Sequence, residues 1–501
     1  MPEKRTARTG TLLLLTGVEL IVFLDSSVTN LAMPSIGKAL ALSVATLVWV
    51  SSAYQVTFGG FQLGAGRATD RLGRRLMFRT GLAVFTGASL LAGLTGSGTA
   101  LIAARAAQGI GAAILIPAEL ALLTAVFTEP EAYRRAFGVW SAMGAVGGAA
   151  GVAVGGVIVS GLGWRWVFLV NVPIGVLGLL ASGRLLPRDD IHLRAVRRRE
   201  LDLPGMVTGT ASLLLLVYVV TKGAEGSLDT LHRILAGVAV LLGAAFVAVE
   251  RRAGTPVLPF RIFRVRGITG SALANFLVGA AHVPVFVFLS LYFQEVRGYS
   301  AVTSGLAVLP LALVAIPVAR LALPPVLKAA GPRVVLAGGA GLLAVALLLL
   351  SRIPAHADYM TDFLPAALVF AVALPACFVG STLPAMRAAD PAETGVVSGV
   401  VNTAQRLGAG LGVAVLAAVA NTRTSHHHGG SPADAVNAGF HSAFLGAAGL
   451  AALCVPVALL VLGPGPEPDA AAGGETEDVP AGRPGAAPAA DPADGAAPTA
   501  D

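Results

Sequence analysis

Apolar stretches of about twenty residues recur from near residue 12 to residue 463, and they leave few folds open to this chain. A hydrocarbon layer about 30 Å thick is crossed by about 20 apolar residues in a helix rising 1.5 Å per residue. Fourteen such segments can be cut: 12–34, 46–66, 76–96, 99–127, 136–162, 165–186, 203–222, 231–250, 268–293, 301–322, 333–352, 362–386, 394–420 and 439–463. The class is therefore an all-α polytopic membrane protein. Composition agrees, with 55% hydrophobic and 13% charged residues, well outside the range of a globular domain. The first segment follows a basic start but is too long for a signal peptide, holds two acids and has no small-residue cleavage site after it, so it is expected to stay.

An even number of crossings puts both termini on one side. Starting with Lys4, Arg5 and Arg8 inside, most of the 35 Lys and Arg residues fall on that side, which makes it cytoplasmic. The basic balance thus reports topology, and no nucleic-acid partner is expected. Two strongly basic inner loops, RDDIHLRAVRRRE and ERRAGTPVLPFRIFRVRG, bracket a pair of helices. The charged segment after the second crossing, GRATDRLGRR, has a worn counterpart after the tenth, RLALPPVLKAAGPR, as parallel repeats of six helices would give. The expected division is a cytoplasmic N-terminus (1–11), an N-terminal six-helix bundle (12–186), basic loops with a two-helix insert (187–267), a C-terminal six-helix bundle (268–463) and a disordered cytoplasmic tail (464–501) rich in Ala, Pro, Gly and acids. Cys377 and Cys454 sit in apolar runs and imply no disulfide framework. No GxxxxGK[ST] fingerprint appears, and His426, His427 and His428 are consecutive in one outer loop, a poor geometry for a closed metal site. Neither a cofactor nor a metal is expected, and nothing requires more than a monomer.

Six ionisable residues lie well inside these segments: Glu19, Asp25, Arg105, Glu119, His282 and Arg406. A charge at the bilayer centre costs about 3 kcal/mol or more, so such residues face a cavity, a partner or a proton path. The chain reads as a transporter; a receptor does not need acids spread along a spanning cavity. At 1.5 Å per residue, Asp25 and Arg105 differ in depth by about 5 Å and can meet. Glu119 follows Arg105 by fourteen residues, within about 40° of the same helix face, and matches Glu19 in depth. The two acids are expected to share a vestibule facing the cytoplasm.

The motifs resemble the major facilitator superfamily and, within it, the fourteen-helix drug:proton antiporters, from about Leu12 to Leu462. GRATDRLGRR, from Gly66 to Arg75, resembles the signature between helices two and three, in which an acid followed by bases latches the cytoplasmic helix ends. Here Asp70 is the acid, Arg71, Arg74 and Arg75 are the bases, and Gly66 and Gly73 are expected to allow a close turn. LDSSVTNLAMP resembles the opening motif, with Asp25, Asn30 and Pro34 in its acid, amide and proline positions, and RAAQGIGAA resembles the motif that supplies a buried arginine, Arg105, with Gln108 and Gly109 beside it. GVWSAMGAVGGAAGVAVGG resembles the antiporter motif: Gly138, Gly147, Gly151, Gly155 and Gly156 are in place, while Val152 replaces the usual proline. Glycines four apart make a smooth strip for a neighbouring helix and a seal against proton leak. GWRWVFLVNVPIG resembles a further family segment, whose Trp164 and Trp166 are read as interface anchors.

The resemblance implies a major facilitator fold, two six-helix bundles plus two linker helices (14 transmembrane helices), with transport by rocking about a site between the bundles. Proton coupling is assigned to Asp25, Arg105 and Glu119. A carboxyl beside an arginine in an apolar cavity is pulled toward ionisation by one and toward neutrality by the other, a balance that suits a proton carrier; a purely structural ion pair is the alternative. Glu119 is a cation site, a second proton site or a neutral packed acid. His282 is a second proton site or a satisfied core histidine, and Arg406 a structural or gating residue. Gating is assigned to Gly66, Asp70, Arg71, Gly73, Arg74, Arg75, Gly147, Gly151, Gly155 and Gly156. Substrate contacts are expected from Glu19, Trp49, Tyr54, Gln55, Gln108, Trp140, Asn275, His282, Phe286 and Asn402, polar and aromatic groups suited to bulky apolar ligands. The expected partners are protons, membrane lipids and a lipophilic small molecule, cationic in one reading. The expected activity, without enzymatic chemistry, is proton-driven export of drugs, antibiotics or secondary metabolites across a bacterial inner membrane. A dedicated exporter of one metabolite, siderophore or lipid is the alternative.

Overall fold

The computed structural model describes residues 2–187, 203–223, 229–253, 256, 258, 260–389, 394–426 and 431–462. The expected tail from Pro464, the basic run 188–200 and the pair His427 and His428 lie outside the described residues.

In chain order the helices are α1 (Pro2–Leu40), α2 (Val44–Leu72), α3 (Arg74–Leu94), α4 (Gly98–Val126), α5 (Pro130–Gly161), α6 (Trp166–Leu169), α7 (Asn171–Leu185), α8 (Leu203–Gly223), α9 (Thr230–Arg252), α10 (Arg266–Leu291), α11 (Ala301–Pro317), α12 (Leu323–Leu350), α13 (Leu364–Ala388), α14 (Thr394–Ser425) and α15 (Pro432–Pro456). Helices α6 and α7 meet at Val170, itself helical in φ and ψ, and form one crossing. Helix α11 runs on through a wide π turn, Val318–Ala322, into the start of α12. Ala301–Leu350 is consequently one apolar stretch of 50 residues, enough for two crossings. Gly331, at φ 74°, divides it. Each of the fourteen expected segments falls on one of these helices or on the α6–α7 pair.

The packing repeats. In the first half α1 lies on α5 and α7, α4 on α2 and α3, and α3 on α7; in the second α10 lies on α14 and α15, α13 on α11 and α12, and α12 on α15. Local chemistry repeats with it. Ser43 caps α2 by accepting from Thr46 N (3.2 Å), and Ser300 caps α11 by accepting from Thr303 N (3.1 Å). Each satisfies a backbone donor that helix geometry leaves open. Among the described residues, Gly73 (φ 105°) and Gly331 (φ 74°) hold the only positive-φ positions between α2 and α3 and between α11 and the long part of α12, a conformation that favours glycine. Just after them Arg75 donates to Gly183 O near the end of α7 (2.7 Å), and Arg333 donates to Leu459 O beyond the end of α15.

The segment GRATDRLGRR is helical except at Gly73. This corrects the expectation for Gly66, which sits inside α2 with its nearest outside neighbour, Pro117, at an ordinary 3.8 Å from a Cβ. A single positive-φ residue suffices to reverse the chain, so the turn rests on Gly73 alone. Between the halves, α2 packs on α14, α5 on α11 and α1 on α10; the insert helices α8 and α9 pack together, with α8 against α2 and α14.

Candidate functional site

Asp25 and Arg105 are both buried, at 0% and 1% exposure, and the structure brings them together. Arg105 Nη1 lies 2.5 Å from Asp25 Oδ2 and 2.8 Å from Gln108 Oε1, while its Nε donates to Val50 O at 2.9 Å. On the other carboxylate oxygen, Oδ1 accepts from Asn171 Nδ2 at 2.8 Å and from Gln108 Nε2 at 3.2 Å. Gln108 is itself oriented by Ser89 Oγ at 2.7 Å. The guanidinium lies 4.3 Å from the Tyr54 ring centre and 5.8 Å from that of Phe168. One site thus draws on α1, α2, α3, α4, α6 and α7. A buried ion pair survives desolvation only when its remaining donors and acceptors are met, and removing one partner of such a pair costs about 3–5 kcal/mol. Chemically, the cluster is a carboxylate closed off from water and paired with a single cation.

Asn171, Ser89, Phe168 and the Val50 carbonyl are absent from the expected site. Asn171 was visible as the one amide within GWRWVFLVNVPIG. Trp164 is corrected as well: it is buried at 5% exposure and edge-packed on Phe168, since the turn between α5 and α6 in which it lies folds it inward, whereas Trp166 is exposed.

Toward the far end of α4 lies a second buried group. The Glu19 and Glu119 carboxyls are close enough to interact electrostatically, and Trp140 Nε1 donates to Glu119 Oε2 at 2.8 Å. Glu19 Oε2 and Glu119 Oε1 have no partner among the described residues. Glu119 stands about 21 Å along α4 from Arg105, and both contact α1, so one face of α4 presents both.

Arg406, from α14 in the second half, reaches first-half residues. Its guanidinium lies 4.3 Å from the Phe58 ring centre and 5.5 Å from that of Phe23, with Nη1 3.4 Å from Gln55 Oε1. Its charge also acts on Glu19.

The other expected contacts are dispersed. His282 donates from Nδ1 to Val278 O of its own helix at 2.7 Å, its ring edge-on to Phe378. Asn275 and Asn402 donate to their own helices, at Ser271 O and Ser398 O. Phe286 packs on Phe370 and borders a small cavity with Ser27 and Asn30. Trp49 is a correction: its ring packs against Tyr218 of α8, 6.2 Å between centres, because that side of α2 is covered by the insert.

The α5 glycines divide their work. Gly147, Gly151 and Gly155 seat α1, with backbone or Cβ atoms of Leu20, Ser27 and Val28 where a Cβ would go, and Gly156 faces Ala301 and Val302 at the start of α11. Seams at this end also include Leu31 O, which accepts from Ser290 Oγ (3.4 Å) and Gln294 Nε2 (3.0 Å) of the second half. Of the signature residues, Asp70 lies in the last turn of α2 and its side chain is outside the described set; Arg71 is half-buried and Arg74 exposed.

The sequence profile of the Major Facilitator Superfamily matches residues 15–413. Curated relatives include the puromycin resistance protein of Streptomyces alboniger, 37% identical over 86% of each chain. The cephamycin export protein of Amycolatopsis lactamdurans is 39% identical over 88% of this chain and 90% of that one, and the methylenomycin A resistance protein of Bacillus subtilis is 30% identical over 90% and 95%. Among solved structures, a bacterial homologue of the human lysosomal transporter Spinster aligns with a TM-score of 0.65 at 18% identity, over 91% of this chain and 97% of that one. With a repeated six-helix architecture, a profile match over most of the chain and relatives matched nearly end to end, this multi-pass membrane protein belongs to the major facilitator superfamily.

Proposed function

We propose that the chain exports a lipophilic antibiotic or secondary metabolite in exchange for protons, by alternating access. The observation that carries this reading is the Asp25–Arg105 cluster, a buried carboxylate whose counter-ion comes from another helix. A proton arriving at Asp25 cancels the attraction for Arg105, which retains Val50 O and Gln108 as partners. Loss of that link between α1 and α4 lets the first half change its inner packing, and departure of the proton restores it. The protein performs no covalent chemistry in this cycle and needs no cofactor.

In this reading the face bearing the α2–α3 turn, the basic side, is cytoplasmic, and the protein sits in a bacterial inner membrane with both termini inside. The contacts of Gly156 with Val302 and of Leu31 with Ser290 and Gln294 then seal the outer end. Glu19 and Glu119, with two unpartnered oxygens, form an acidic pocket for a proton or a substrate cation, which a low-dielectric surrounding holds more strongly than water does. The glycines of α5 let α1 slide or rotate against a smooth surface.

The names of the relatives favour a second, narrower reading. Puromycin resistance, cephamycin export and methylenomycin A resistance each name one antibiotic, as for a dedicated exporter.

The test is substrate-induced proton movement in vesicles containing the purified protein, with a panel of cationic and neutral compounds that includes those three antibiotics. Proton release that is present in the wild type and abolished in Asp25→Asn supports antiport through Asp25. Export against a gradient by a folded Asp25→Asn protein overturns the carrier role.

A further inference from the structure

The segment joining α9 to α10, ERRAGTPVLPFRIFRVRG, holds five arginines and one acid. The acid, Glu250, is turned away from solvent at 2% exposure and accepts from Leu258 N at 2.9 Å. Arg251, Arg252, Arg261, Arg264 and Arg266 are all exposed. Of these, Arg251, Arg252, Arg264 and Arg266 form no ion pair among the described residues. Among them Phe260 and Val265 are also exposed, at 36% and 40%. The segment is held in place, because Phe260–Arg264 forms a 3₁₀ turn and Thr269, near the start of α10, donates to Phe263 O at 2.6 Å. Arginines interleaved with apolar side chains, at the ends of two membrane helices, suit the boundary between lipid headgroups and acyl chains.

Basic inner loops are general; the space beneath this one is not. A cavity of about 590 Å³ runs from the segment between α2, α8, α9, α10 and α14. Leu258 and Phe263 of the segment line it, and no charged side chain among the described residues does. Leu213 of α8 and Phe276 of α10 line it as well, each ten residues into its helix and so about 15 Å from the basic end. That is half of a hydrocarbon layer about 30 Å thick, the depth of one leaflet. The cationic and the apolar feature join at Phe263 and Arg264, neighbours in sequence, the first lining the cavity and the second exposed.

We infer that segment and cavity together bind one anionic phospholipid from the leaflet on the basic side, with its phosphate beside Arg264 and Arg266 and an acyl chain in the cavity. A neutral lipid leaves the arginines unmatched, and a free phosphate leaves the apolar slot unfilled. The lipid is a resident and not cargo, so the site is independent of what the protein exports. Its occupant touches the insert and both halves, since α2 belongs to the first half and α10 and α14 to the second.

The test is native mass spectrometry of the purified full-length protein, delipidated and then offered phosphatidylglycerol and phosphatidylcholine of the same acyl chains at equal concentration. One retained phosphatidylglycerol is expected, favoured over phosphatidylcholine about twentyfold, with Arg264→Gln and Arg266→Gln each lowering the preference about fivefold and the pair abolishing it. Arg79→Gln, at an exposed position of α3, leaves it unchanged. Ala404→Phe, which fills the cavity, lowers retention of both lipids about tenfold. Glycerol 3-phosphate, a headgroup without chains, does not displace the lipid. Equal retention of the two lipids overturns the inference, as does a loss in Arg79→Gln that matches the loss in Arg264→Gln, the mark of a diffuse basic face. Retention untouched by a folded Ala404→Phe, or displacement by glycerol 3-phosphate, removes the chain from the site and overturns it too. The arginine variants lie on the surface and keep the test valid where Ala404→Phe does not fold. No arm reads export, so failure of the export reading leaves the site standing, and the reverse.

Discussion

Asn171 donates to Asp25 across two helices, its Nδ2 2.8 Å from Oδ1, closer than Gln108 to the same oxygen. The first residue of α7 is therefore a partner of the ion pair. Replacing it with Ala leaves Oδ1 with one long hydrogen bond, and a hydrogen bond to a charged group contributes about 1.5–3 kcal/mol. The expected result is a lower unfolding temperature in detergent together with slower proton-driven export. A variant unchanged in both would remove Asn171 from the site.

Glu19 and Glu119 interact electrostatically, so their substitutions should not be independent. Residues that share a contact show interaction energies of about 0.5–3 kcal/mol in double-mutant cycles. Glu19→Gln and Glu119→Gln are each expected to slow export of a monovalent cationic dye about tenfold, with the double variant no slower than the worse single one. Multiplying losses would mean two separate roles. If Glu119→Gln slows neutral compounds as much as cations, the pair handles protons and not substrate charge.

Gly156 stands where α5 meets α11. A Cβ there would lie 2.7 Å from Val302 Cα and 2.8 Å from Ala301 O, both backbone atoms that cannot step aside. Overpacking of this kind costs about 1–3 kcal/mol, and the cost falls only on the state in which this end is shut. Gly156→Val is expected to raise the labelling rate of a cysteine placed at the buried Ser304 about tenfold when an impermeant maleimide is applied to the face bearing Lys38. An unchanged rate would show that the contact does not govern closure.

Asp358 caps the turn leading into α13 from outside the spanning segment. Its Oδ1 accepts from Thr361 N (3.1 Å) and Met360 N (2.9 Å), and these donors hold the carboxyl below its usual 3.8. A depressed carboxyl stabilises fully above its unfolded value and loses that contribution as pH falls through the folded one. Asp358→Ala should accordingly lower the unfolding temperature at pH 7, and the gap from wild type should narrow only below about pH 4. A gap independent of pH would mean that the charge of the cap contributes nothing.

The crossings were legible because apolar length is a property of the sequence itself, and Asp25 with Arg105, or Glu19 with Glu119, because depth follows from counting residues along a helix. Rotation about the helix axis is harder to count. Trp49 was expected in the cavity and faces α8 instead, since nothing in α2 announces the insert that covers it. Gly66 and Gly73 look alike in one polar segment, and only the backbone torsion at Gly73 distinguishes the turn from the helix before it. Arg406 and Asn171 depend on helices distant in sequence, across the seam for one and across the first half for the other. Depth alone does not select such partners.

The bond from Arg75 to Gly183 and its counterpart from Arg333 to Leu459 each tie the start of a third crossing to the end of a sixth. With α3 packed on α7 and α12 on α15, the third and sixth crossings of each half are latched together at one end. In each half the second crossing meets the third through a single positive-φ residue, Gly73 in one and Gly331 in the other, so the second crossing can swivel about one residue while the third stays tied to the sixth.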